Sequence, residues 1–219
     1  MTFFDPKGNK MTKPAFIEFY SKCYFLNNSM VAEKEIERFL SQGLDSVAPF
    51  DVMRILEWKL GRIDHKRSQC EGKTWYRHWD EMKQYKTKTR SGEIDAGELC
   101  KFVSENYSRL KKETPFNVFN ELVVQDVSNL GTVYIITLVY FITQECPIYD
   151  RFAHQAIIAI KEDKEPGELV KYSELPGKTD SNAYQKYNDC YFERLRNIFP
   201  NYMDRDIDRA LWVYGHLFR

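Results

Sequence analysis

The sequence predicts an all-α fold, and three observations predict it. Apolar residues recur at helical spacing through most of the chain. Aspartate, proline and glycine punctuate those runs where helices start and stop. The chain of 219 residues is 43% hydrophobic and 15% aromatic, enough to fill a core, while 29% charged residues supply a solvated surface. That length favours one sizeable core over two small ones, so a single domain over 1–219 is expected.

The elements follow in order. Residues 32–41 place Ile36, Phe39 and Leu40 on one stripe and stop at Gly43. Asp51 then reads as the N-cap of a helix over 52–60 that ends at Gly61, joined to its predecessor by a loop containing Pro49. The stretch 63–94 is less periodic and reads as loop with one short helix around Trp79. Asp95 can cap a helix carrying Leu99, Phe102, Val103, Tyr107 and Leu110, and Pro115 is placed to start one carrying Phe119, Leu122 and Val123. Residues 132–143 are apolar nearly all round, which marks a helix buried on most sides, with Pro147 to end it. β-Branched content there also allows a strand; helix is preferred. Residues 152–161, 182–199 and 204–217 read as three more helices, the last facing Ile207, Ala210, Leu211, Tyr214 and Leu217 inward. Pro166, Gly167, Pro176 and Gly177 make 164–180 the expected mobile loop.

Composition excludes several function classes. The longest apolar stretch, 133–142, is too short to cross a bilayer, and the first fourteen residues hold no apolar signal core. Five scattered cysteines show no CxxC, and His65, His78, His154 and His216 lack the spacing that puts two ligands on one helical face. Reduced thiols in a cytoplasmic protein are therefore expected, with no bound metal and no cofactor. Walker, dinucleotide and nucleophile-triad signatures are missing, which leaves phosphoryl, hydride and acyl transfer without support. The formal net charge is zero, so the chain does not coat nucleic acid by charge alone. Basic residues nevertheless concentrate over 59–90, where Lys66, Arg67 and Arg77 interleave with Trp75, Tyr76 and Trp79, as in a surface that holds phosphates and stacks bases. Trp58, beside Leu56 and Leu60, reads as core.

The informative stretch is Val127-Ser128-Asn129-Leu130-Gly131-Thr132-Val133, followed by the apolar helix and then Pro147-Ile148-Tyr149-Asp150. A tight glycine turn feeding a helix leaves backbone N–H groups free to bind a phosphate without any basic side chain. A carboxylate past the far end of that helix would lie a fixed distance from the phosphate, because a rigid rod joins them. The plainer reading of Asp150 is a cap for the helix that starts near Phe152.

Over 115–159 this layout resembles the helix-hairpin-helix DNA glycosylases, whose hairpin closes on a Leu-Pro-Gly-Val-Gly-like turn and whose catalytic aspartate follows the next helix. Val127 and Ser128 stand for the Leu-Pro, Asn129 for the first glycine, Leu130 for the middle apolar residue and Gly131 for the second glycine. The resemblance implies that backbone amides around Asn129, Gly131, Thr132 and Val133 anchor double-stranded DNA and that Asp150 is the catalytic carboxylate. Such an enzyme bends duplex DNA, flips a damaged or mismatched nucleotide into a pocket and cleaves the N-glycosidic bond. Members that also cut the strand carry a lysine two residues after the second glycine. Val133 stands there, so a monofunctional glycosylase is expected. Phe152 replaces a histidine that is frequent in the family, and the iron–sulfur cysteines of some members are missing. Two other readings remain: a glycosylase-like domain that only binds nucleic acid or protein, and an unrelated helical interaction domain.

Overall fold

The computed structural model describes residues 1–27, 47–59, 86–89, 92–126, 130–176 and 182–218. Among them the chain is mostly helical, with two short antiparallel hairpins as its only strands. No helix among the described residues is long and apolar enough to cross a membrane. Contacts divide the chain into two compact units, one gathering residues of 1–28, 147–175 and 185–219, the other those of 29–146 and 176–184.

The first unit opens with a hairpin of β1 (Phe3–Phe4) and β2 (Lys10–Met11), in which Phe3 pairs with Met11 and Phe4 with Lys10. Asp5 ties its turn by accepting from the amides of Lys7 and Asn9, both at 2.8 Å. Helix α1 (Lys13–Asn27) follows. The sequence reading passed over it, although Phe16, Tyr20 and Tyr24 repeat every fourth residue and are all buried. It packs against α9 (Arg205–Gly215), where Phe16 and Tyr20 meet Tyr214 with ring centroids 5.0 and 5.1 Å apart. Tyr20 donates to the Phe4 carbonyl at 3.0 Å, which ties the hairpin to the helix. Helix α9 also packs on α6 (Arg151–Lys161). Their contact is close because Gly215 lacks a side chain: a Cβ there would lie 1.8 Å from the Phe152 carbonyl oxygen.

The region expected as one helix over 182–199 comprises α7 (Ala183–Tyr187), a π-helical turn (Asn188–Phe192) and α8 (Glu193–Ile198). The last expected helix holds, with Asp204 capping it through the Asp206 amide at 2.9 Å. Ile207, Ala210, Leu211 and Tyr214 are buried as anticipated; Leu217 lies beyond the helix and is half-buried. No regular structure forms over 162–176, and the rest of the expected loop lies partly outside the described residues.

The second unit contains α2 (Pro49–Lys59), the hairpin β3 (Lys86–Thr89) and β4 (Gly92–Asp95), α3 (Gly97–Leu110), α4 (Pro115–Gln125) and α5 (Thr132–Thr143). Helix α5 contacts α2, α3 and α4 and buries nine of its residues, which settles the strand alternative for 132–143 in favour of helix. Pro115 starts α4 as expected, with Thr114 capping through the Asn117 amide at 3.3 Å.

Several expectations are corrected here. Pro49 lies in the first turn of α2 rather than in a loop, since its fixed φ suits a helix start. Asp51 is accordingly inside the first turn and reaches back to accept from the Ala48 amide at 3.0 Å. The cap residue of α3 is Ala96, while Asp95 accepts from the Gly97 amide at 2.9 Å one position earlier. Lys86–Thr89 and Gly92–Asp95 pair as antiparallel strands where loop was expected. Trp58 is half-buried, its ring 5.8 Å from that of Phe141. The expected helices over 32–41 and around Trp79 lie outside the described residues.

Candidate active site around Asp150

Asp150 is the N-cap residue of α6. Its backbone is extended (φ −138°, ψ 142°) and its Oδ1 accepts from the Phe152 amide at 2.9 Å. This is the plain role foreseen for it, and the bond also fixes the carboxylate. An anion at this position is further stabilised by the positive end of the helix dipole.

The segment that delivers Asp150, residues 147–150, is held by tyrosines from another element. Tyr187 donates to the Pro147 carbonyl at 2.6 Å and Tyr191 to the Ile148 carbonyl at 3.1 Å. Tyr187 and Tyr191 lie four apart across the π-helical turn. Such widened turns arise where side-chain packing overrides the regular ladder.

Behind Asp150 sits a buried aromatic cluster. The Tyr149 hydroxyl meets His154 Nδ1 at 3.2 Å, and the His154 ring lies 5.7, 5.4 and 5.8 Å from the rings of Tyr149, Tyr172 and Tyr191. His154 is 1% exposed. Burial pushes its pKa down to about 4, helped by the charge of Arg194. The Cys190 backbone pulls the other way, without a hydrogen bond of good geometry to Nε2. The imidazole is therefore neutral at physiological pH. Burial likewise raises the hydroxyls of Tyr149, Tyr172 and Tyr191, and the negative charge of Asp150 adds to each rise. The Asp150 carboxylate thus stands beside neutral phenols, with Tyr172 and Asp150 itself half-buried rather than sealed in.

The anticipated phosphate anchor lies at the start of α5. Gly131 has φ +98°, a backbone conformation that suits glycine. Its carbonyl takes the amides of Tyr134 (3.1 Å) and Ile135 (3.3 Å), so the amides of Thr132 and Val133 precede the helical ladder. The Leu130 amide is already used, donating to Asp126 Oδ1 at 3.0 Å. Thr132 is 1% exposed and its Oγ1 has no hydrogen-bond partner. Gly131 is buried and Val133 half-buried. Asn129, Lys66, Arg67 and Arg77, together with Trp75 and Trp79, lie outside the described residues. Gly131 to Val133 and Asp150 belong to different compact units.

No family model matches the chain, and no curated protein or solved structure is detectably similar to it. The resemblance to helix-hairpin-helix glycosylases therefore stands on this chain's own residues. His154, Tyr149, Tyr172, Tyr187 and Tyr191 were not singled out from the sequence as site residues. Two signals could have found them: the four-residue spacing that sets His154 on the same helical face as Asp150, and the same spacing between Tyr187 and Tyr191.

Proposed function

We propose that the chain is a monofunctional DNA glycosylase-like protein that hydrolyses the N-glycosidic bond of a flipped nucleotide, with Asp150 as its catalytic carboxylate. The observation that carries this reading is the ordered carboxylate at the start of α6, half-buried and bordered by Tyr149, Tyr172 and Tyr191. A fixed negative charge favours the cationic sugar that forms as the C1′–N bond breaks and its electron pair leaves with the base. Water then adds to C1′ and passes a proton to the carboxylate, which acts as general base. The chemistry needs no cofactor. Val133 offers no amine, so no Schiff base forms with the opened sugar. Support for DNA anchoring comes from the amides of Thr132 and Val133 at the start of α5 and from the unpartnered Thr132 hydroxyl.

One observation favours a second reading, in which the fold binds nucleic acid or protein without chemistry. Asp126 Oδ1 accepts from the Leu130 amide, so a phosphate arriving at the start of α5 meets a negative charge.

The deciding experiment is an excision screen on duplexes carrying uracil, alkylated purines, oxidised purines and mismatches, with breaks revealed by alkali. On the substrate so found, Asp150→Asn keeps the cap acceptor but loses the charge. Single-turnover excision is expected to fall by about a hundredfold or more while the melting temperature and DNA affinity hold. Wild type should leave abasic sites that break only after alkali, and borohydride should trap no covalent adduct. Undiminished excision by the Asn variant would remove Asp150 from the mechanism; a screen with no product would favour the binding-only reading.

A further inference from the structure

Gly215 lets the end of α9 meet the start of α6, and the contact assembles a ladder of four side chains next to Asp150. Phe152 and His216 stack with centroids 3.5 Å apart and planes 24° from parallel. The Trp212 ring lies 4.1 Å from that of His216 and 6.2 Å from that of Phe152. The Arg151 guanidinium carbon sits 4.6 Å from the Phe152 centroid. His216 is held in place by a 2.7 Å hydrogen bond between Nδ1 and the Trp212 carbonyl.

These rings do not pack as a core. Phe16 and Tyr214 in the same unit are fully buried, whereas His216 and Arg151 are exposed and Phe152 and Trp212 half-buried. A near-parallel aromatic stack that carries a guanidinium and reaches solvent offers two things together: a planar apolar face and a positive charge. A nucleotide presents the complement, a planar base and an anionic phosphodiester. Arg151 is also the residue directly after Asp150, so a strand gripped here is already beside the carboxylate.

Resting on the base-excision reading above, the geometry points to the Arg151–Phe152–Trp212–His216 ladder as the contact for the DNA strand that carries the extruded nucleotide. An unpaired base lies against the aromatic ladder, and the adjoining phosphate pairs with Arg151. The surface reads no sequence, since every base has a flat face, and it holds single-stranded or locally opened DNA in preference to an intact duplex.

The test uses the full chain and two labelled probes, an oligothymidine single strand and a duplex with a central abasic analogue, followed by fluorescence anisotropy across a salt series. His216→Ala is expected to weaken binding of the single strand about tenfold through lost stacking. Arg151→Gln should weaken both probes and reduce the slope of log affinity against log salt by about 1. Arg196→Gln, an exposed arginine elsewhere in the same unit, should change neither. Melting temperatures recorded alongside show that Arg151→Gln and His216→Ala remain folded, and Phe152→Leu gives a second route to breaking the stack. Binding by Arg151→Gln and His216→Ala that matches Arg196→Gln overturns the proposal, as does failure of wild type to bind either probe. Ladder-dependent binding in a protein that excises no base would keep the ladder as the contact for single-stranded or opened DNA and remove the base-excision reading alone.

Discussion

The contact at Gly215 gives a sharp test of how α6 and α9 build the site. Gly215→Ala would place a Cβ 1.8 Å from the Phe152 carbonyl oxygen, 2.4 Å from its carbon and 2.8 Å from the Phe152 Cα. All three are backbone atoms, so no rotamer change relieves the clash, and the helices must part by more than an ångström. That separation loosens the packing of two helices whose Ala153, Ala156, Ala210 and Leu211 are all buried. Overpacking of this kind costs about 1–3 kcal/mol where side chains can yield, and a backbone clash belongs at the upper end or beyond. A loss of about 3 kcal/mol corresponds to a fall in melting temperature of roughly 10 °C for a chain of this size. The damage extends to function, because the Phe152 amide is the donor that fixes Asp150. Gly167→Ala is the control: Gly167 has φ +92° but nothing within 4 Å of the added carbon, so only backbone strain of about 1–2 kcal/mol is expected. The assay is thermal melting of wild type and both variants, with single-turnover excision or, failing a substrate, anisotropy on the abasic duplex. A Gly215→Ala protein that melts with wild type would refute the close approach of the two helices.

Other expectations concern protonation and the start of α5. The buried His154 binds a proton in the unfolded chain from about pH 6.5 downward but in the folded protein only below about 4. Stability should therefore be full above pH 6.5 and fall as the pH drops through that window, by about 2 kcal/mol near pH 5 and about 3 in total. Urea unfolding of wild type and His154→Leu at several pH values checks this: the variant's profile should be flatter between pH 7 and 4, and parallel profiles would mean that His154 is not buried as described. Thr132→Val removes a buried hydroxyl that has no partner, so stability should hold or rise slightly. If that hydroxyl serves a phosphate, the same variant binds duplex DNA more weakly, and unchanged affinity would take Thr132 out of the interface.

What the sequence determined by itself was local. The apolar run that ends before Pro147 marks a segment buried on most sides and favours helix over strand, and the structure has the helix over Thr132–Thr143. Pro115 marked the start of α4, and the apolar spacing within 204–217 marked α9. Asp150 stood out through its place after that apolar helix, and its capping role was legible from the helix that follows. Elements with weaker periodicity were missed, such as the β3–β4 hairpin, whose Lys-Thr-Lys-Thr strand carries no apolar face to announce it. Only the tertiary structure decided what surrounds Asp150. Tyr187 and Tyr191 reach the Pro147 and Ile148 carbonyls from a distant helical segment, and the neutrality of His154 follows from which rings close over it. Nothing in the sequence sets Gly215 apart; the Phe152 backbone packed against it does, and the same contact stacks Phe152 on His216. Spacing along a chain fixes which residues share a face. Which faces meet, and so which groups lose water and shift their protonation, depends on packing between segments far apart in sequence.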